Sequence, residues 1–208
     1  MTLSNCYTTL DAVKDELGRS DVSNDARIEA AINAASRQID DYTGRRFWQD
    51  PSVVAREFHA DDYTELHSSV EQVLDISTTT GLIVKLDTAD TGTFSTTLTI
   101  NTHFILTPAN AGDDGEPLTG IRLVDSPNSF PMSSSGRPGV QITAKFGWAS
   151  VPDPVNQACL IQSVLLYKAT DAALGGLSFG DGAFLRVRGG LNPIAQSLVE
   201  RYSFARVA

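Results

Sequence analysis

The residues best able to do chemistry in this chain do not fall into the patterns that chemistry requires. The three histidines, His59, His67 and His103, lie in separate segments, without the short paired spacing of a metal site. Asp61 and Asp62 follow His59 closely enough to be drawn as a catalytic group, but "HADDY" has the composition of a solvated turn. In "DTADTG", Asp87 and Asp90 precede Gly92 as in the first half of a calcium loop. The acceptors at positions one, three and five and the bidentate glutamate at twelve are missing, so a hairpin connection is the better reading. "FGDGAFL" supplies Gly180 and Gly182 but neither the third glycine nor the strand–turn–helix of a dinucleotide fingerprint. No serine occupies a nucleophile elbow. Cys6 and Cys159 are far apart, with no histidine at ligand spacing, and read as buried thiols in a reducing compartment. The expectation is a protein with no catalytic residue, no metal and no cofactor, and hence no enzyme.

Bulk properties narrow the class further. The 208 residues, 41% hydrophobic and 20% charged, suit an ordinary globular protein able to bury a core without staples. No apolar run approaches the roughly 20 residues needed to span a bilayer, and the N-terminus lacks the basic start and apolar core of a signal peptide. A formal net charge of −9 argues against a surface that grips nucleic acid throughout. It is compatible with a wall along which DNA slides.

The elements that would position side chains follow from periodicity. Thr8, with Asp11 three positions on, predicts the start of a short helix that Gly18 stops. Ser23 or Asp21 then caps a longer helix whose stripe is Ile28, Ala31, Ile32, Ala35, Ile39 and Tyr42, with Gly44 beyond its end. From about residue 52 the period becomes two. Val53–Phe58, Val70–Ile76, Leu82–Leu86, Phe94–Ile100, Phe104–Thr107, Ile121–Val124 and "VQITAKFGW" (140–148) read as strands. Helix returns with Asp153 as N-cap and Pro154 at the first position, apolar most of the way round and so expected to be central. Asn192 and Pro193 begin a short last helix through about Tyr202. The fold class is therefore α+β: two N-terminal and two C-terminal helices forming a helical core, with a β-rich insertion between them. The expected divisions are 1–48 and 139–208 for the core and 49–138 for the insertion.

In "SRQIDDYTGRRFW" (36–48), Asp40 and Asp41 stand near the negative end of the long helix, where carboxylates are unfavourable. Arg45 and Arg46 follow and can neutralise both the carboxylates and the free carbonyls. "YTTLDAVKDELGRSDVSNDARIEAAINAASRQIDDYTGRRF" resembles the opening of the head–tail adaptor (connector or head-completion) proteins of tailed bacteriophages, with Tyr42, Gly44, Arg45, Arg46 and Phe47 matching a Tyr-x-Gly-Arg-Arg-Phe-like stretch. "VQITAKFGWASVPDPVNQACLIQSVLLYKATDA" looks like the family's strand, turn and Pro-capped helix, and "RVRGGLNPIAQSLVERY" like its closing segment. The resemblance covers about residues 5–48 and 139–204; the β insertion departs from the smaller, mainly helical adaptors.

The resemblance implies a structural virion protein of the head–tail neck, assembled in the host bacterial cytoplasm. Its subunits would form a dodecameric ring beneath the portal protein, extend the channel for double-stranded DNA without binding it specifically, and offer a surface to a tail-side head-completion (stopper) or tail protein, with no membrane involved. Under this reading Arg45, Arg46, Phe47 and Trp48 could reach a neighbouring subunit or the portal, arginine and aromatics being enriched at interface centres. Six glycines between Gly175 and Gly190, interleaved with Phe179, Phe184, Arg186 and Arg188, suggest that residues 176–208 are a flexible portal-docking arm, the alternative being that they pack back onto the chain's own helices. A different class also stays open: a β-rich, carbohydrate-recognising or decorating module of a phage particle, using Phe58, Tyr63, Phe94 and Phe104.

Overall fold

A computed structural model of the chain describes residues 3–69, 71–124, 128–132, 134–171, 176–179, 183–186 and 190–204, with 171, 176–179 and 183–186 described by backbone alone. The chain is α+β and divides into two compact units, one of Met1–Phe47 and Val151–Ala205, the other of Trp48–Ser150.

The first unit is helical: α1 (Leu10–Glu16), α2 (Asp25–Thr43), α3 (Asp153–Asp171) and α4 (Pro193–Val199), the last running on as a 3-10 turn over Glu200–Tyr202. The predicted stripe of α2 is buried at Ile28, Ala31, Ile32, Ala35 and Ile39. It meets Val13 of α1 and Tyr167 of α3 in one apolar cluster. The helix starts need correction by a residue or two. Thr9, not Thr8, caps α1 by accepting the N–H of Ala12 at 3.2 Å. Neither Ser23 nor Asp21 caps α2, which begins after Asn24; the Asp21 carboxylate instead accepts the Ser23 N–H at 3.1 Å, a turn that ends before the helix begins. Asp153 is the first residue of α3, inside the helix rather than its cap. At α4 the expectation holds: Asn192 accepts the N–H of Ile194 at 2.9 Å and Pro193 opens the helix.

The second unit contains two antiparallel sheets. One orders its strands β1 (Val54–Phe58), β7 (Val140–Phe146), β3 (Ile76–Leu86), β4 (Thr96–Leu98); the other orders β2 (Glu65–His67), β6 (Gly120–Leu123), β5 (Phe104–Thr107). Reciprocal hydrogen bonds between Ile76 and Leu118, at 2.8 and 2.9 Å, tie the sheets together. Strand β7 alternates as its sequence requires, with Val140, Ile142, Ala144 and Phe146 buried in a core that includes Phe58, Leu86, Phe104 and Phe130. Because β7 pairs with both β1 and β3, it belongs to this unit, and the division falls after Ser150 rather than at 138. The expected strand over 70–76 contributes only Ile76 to β3; residues 71–75 form a loop in which the Ser68 hydroxyl accepts the Leu74 N–H at 2.8 Å, and residue 70 lies outside the described residues. Phe94–Ile100 shortens to Thr96–Leu98, and "DTADTG" is the β3–β4 connection, its Asp87 accepting backbone N–H groups of Thr91 and Gly92.

Register puts Arg56 on the same face of β1 as buried Phe58, opposite Ile142. Its guanidinium pairs with the buried carboxylate of Asp50 at 2.7 Å and lies 4.2 Å from the Phe146 ring centroid. A cation on a core face is tolerable when it is both paired and stacked.

Candidate functional site

The helix end singled out by sequence is a node where three parts of the helical unit meet. Gly44 takes φ 69°, the left-handed conformation that ends α2, and its N–H returns to the Asp40 carbonyl at 2.8 Å. The chain then turns so that Phe47 is fully buried, edge-on to Tyr7 (5.6 Å, 85°) and to Tyr202 (5.5 Å, 75°). The Tyr7 hydroxyl accepts the Phe47 N–H at 2.9 Å and donates to the Asp40 carboxylate. Arg37 Nε lies 3.1 Å from the other Asp40 oxygen, and its Nη2 donates to the Asn5 carbonyl at 2.8 Å. Asn156 of α3 donates to the Tyr7 carbonyl at 2.8 Å.

Burial pushes the Asp40 carboxyl up to about 6, against the lowering effect of the Tyr7 hydrogen bond and the Arg37 and Arg46 cations. Burial, and then the neighbouring Asp40 charge, hold the Tyr7 phenol far above its ordinary range. Arg46 is among the cations that lower the Asp40 carboxyl, and Arg37 lies within ion-pair distance of it. Arg45 lies over the Phe204 ring at 4.9 Å, and the Phe204 N–H donates to the Thr43 carbonyl at 3.3 Å. Both arginines are half-exposed, as is Trp48, the first residue of the β unit. Phe47 is taken up by the core of its own chain.

The closing segment is not an extension of an arm. Leu191, Ala195, Val199 and Tyr202 are buried, and the Asn192 N–H donates to Gln162 of α3 at 2.9 Å. Residues 190–204 thus pack back onto the helices, which corrects the expectation for that part of 176–208. Before it, β8 (Gly176–Phe179) and β9 (Ala183–Arg186) pair as an antiparallel hairpin, with Ser178 opposite Phe184 and Gly176 opposite Arg186. The side chains of Phe179, Phe184 and Arg186, and Arg188 altogether, lie outside the described residues.

Several of the acids and histidines make local hydrogen bonds and ion pairs. Asp62 accepts the N–H groups of Thr64 and Glu65 at 2.6 and 2.8 Å, and Asp61 lies 3.3 Å from His67. His103 Nδ1 accepts the Thr99 N–H at 2.9 Å. Among the described residues no group of three His, Cys, Asp or Glu could hold a metal, and no helix is long and apolar enough to cross a membrane. Cys6 and Cys159 are free thiols; burial raises the Cys159 thiol, which lies between the hydroxyls of Ser36 and Ser163. Sequence reasoning missed Tyr7, Arg37 and Phe204 at the node. The three-residue spacing of Arg37 and Asp40 was a usable signal for one of them.

No family model matches the chain, and no curated protein does. Solved structures do. All of this chain aligns with 94% of a chain from the neck of a native gene transfer agent particle computed with C12 symmetry, with a TM-score of 0.56 and 18% identity. The chain shares the fold of a gene transfer agent neck protein. A chain from the neck of an empty particle, computed with C6 symmetry, aligns over 100% of this chain and 95% of its own length at TM-score 0.54 and 19% identity. One from the native gene transfer agent virion gives 0.52 and 19%. The alignment covers the whole chain, so the β-rich unit belongs to this shared fold as the helical unit does.

Proposed function

We propose that this chain is a head–tail adaptor subunit, a structural protein of the neck of a tailed-phage-like particle that forms a ring beneath the portal, extends the DNA channel and joins capsid to tail. What supports the reading is the alignment of the whole chain, both units included, with a chain from the neck of such a particle. The C6 and C12 symmetries used for those necks suit a ring of six or twelve copies. The portal on one side and a stopper or tail protein on the other are the partners, met after assembly in the host cytoplasm. The ring performs no chemistry, and its acidic excess lines the channel, where like charge keeps DNA from sticking.

The test is electron microscopy of the purified full chain, alone and mixed with its portal. Rings coaxial with the portal are expected; a chain that stays dispersed with portal present, or a hydrolase or nuclease activity abolished by one substitution, overturns the reading. Arg45 and Arg46, half-exposed at the node, are the contact candidates. Replacing both with alanine should impair ring formation more than thermal stability, whereas equal losses would assign them to closing the end of α2.

A further inference from the structure

Between α2 and α3 the helical unit carries a surface cavity of about 290 Å³, walled by Ala30, Ala31, Ala34, Leu166 and Tyr167 with Arg27 at its edge. Ala30 and Ala34 are exposed, so the alanine wall opens to the surface. Arg27 and Arg19 both lie over the Tyr167 ring, at 5.3 and 5.6 Å, and Arg27 donates to the Thr170 hydroxyl at 2.9 Å. The result is an apolar floor with a cationic rim, made of small side chains that a bulky group can approach closely.

The complementary feature is on the other unit of the same chain. Tyr63 is 63% exposed, the one aromatic among the described residues with so much of its side chain in solvent. It sits in "DDYTE", between Asp61 and Asp62 on one side and Glu65 on the other. The loop is held in shape by Asp62, which accepts two backbone N–H groups, and by the Tyr63 carbonyl, which accepts the Phe130 N–H at 2.9 Å. An aromatic on a fixed loop loses little conformational freedom on binding, which is what makes an effective anchor.

We propose that Tyr63 of one copy docks in the alanine-walled cavity between α2 and α3 of the next copy, with Asp61 and Asp62 facing Arg19 and Arg27. The occupant is a second copy because the patches are complementary in charge and polarity: the cavity is apolar with Arg27 at its edge and Arg19 over the same Tyr167 ring, and the loop is an aromatic flanked by carboxylates. Two unlike patches on one chain make a heterologous contact, which adds copies head to tail until a rotation closes the ring. That the closed product is a neck ring rests on the reading above; the contact itself does not.

The experiment compares the full wild-type chain with Ala34→Trp, which fills the cavity from an exposed position, and with Tyr63→Ala, Tyr63→Phe and Arg27→Glu. Self-association is measured by mass photometry and sedimentation, folding by thermal melting, and rings by electron microscopy with and without portal. Ala34→Trp, Tyr63→Ala and Arg27→Glu should each weaken self-association at least tenfold with the melting temperature unchanged, while Tyr63→Phe retains it. Variants that form rings as the wild type does overturn the contact and leave the adaptor reading standing. A wild-type chain that pairs through these residues yet never closes a ring, free or on a portal, overturns the adaptor reading and leaves the contact standing. A chain monomeric at every concentration, portal present or not, overturns the contact.

Discussion

Asp40 couples the end of α2 to proton concentration. Its carboxyl is raised to about 6 in the fold, chiefly by burial, against an ordinary value of about 3.9 in the unfolded chain. Between these values the native state binds the extra proton, so this group's contribution is fully present below about pH 4 and is lost as pH rises through about 6. The lost amount is on the order of 1–2 kcal/mol, allowing for partial exposure. Thermal melts from pH 4 to 8 should show a downward step for the wild type near pH 5–6 and a flatter line for Asp40→Asn; a parallel pair of curves would remove Asp40 from the account. Phe47 offers a second check, because a fully buried ring between Tyr7 and Tyr202 leaves a cavity when truncated. Phe47→Ala should cost about 3–5 kcal/mol in chemical denaturation. That a cation beyond the end of α2 would act on its carboxylates was legible from order alone, since helix-dipole logic is local, and Arg46 is among the groups that lower Asp40. The role of Tyr7 was not, because it meets Asp40 across 33 positions of sequence, a tertiary contact that periodicity does not encode.

Among the elements, those with long, clean periodicity were readable: α2, α3 and β7 lie where their patterns put them. Short elements were not. Strand β2 is three residues long and exists because Leu66 pairs across to Ile121, not because "ELH" favours a strand. Within the expected strand Val70–Ile76, residues 71–75 lie in a loop, with backbone groups taken by side-chain hydroxyls such as Ser68. The "FGW" turn after β7 depends on a single glycine. Gly147 has φ 103°, its N–H donates to the Asp75 carbonyl at 2.6 Å, and an added Cβ would come within 2.9 Å of the Trp48 carbonyl carbon. Both the conformation and the space exclude a side chain. Gly147→Ala should therefore destabilise the β unit by well over 1 kcal/mol, seen as an earlier loss of amide-exchange protection in β1, β3 and β7. Unchanged protection there would mean that the turn relaxes without cost.

At the scale of the whole chain, the α+β order of helices, strands and helices was legible because each change of period marks a change of architecture, whereas the true boundary was not. Strand β7 reads as the start of the returning segment but is paired on both sides within the sheet. The C-terminal region divides for a different reason: its glycines suggested one continuous arm, with packing onto the chain's own helices as the alternative, and Leu191, Ala195, Val199 and Tyr202 follow the alternative by burying themselves. Folding and the proposed docking can therefore be tested on different pieces, with two variants. Ending the chain after Gly190 removes those buried side chains and the Phe204 contact with the end of α2, so the helical unit should lose its cooperative melt and ring formation together. Replacing 176–186, the β8–β9 hairpin, with Gly/Ser residues of equal number leaves α3 and α4 joined by the same length of chain. If the hairpin is the piece that meets the portal, this second variant should melt like the wild type and fail to bind portal. Portal binding that survives the replacement would remove the hairpin from the interface, and a variant that unfolds would make it a structural part of the helical unit.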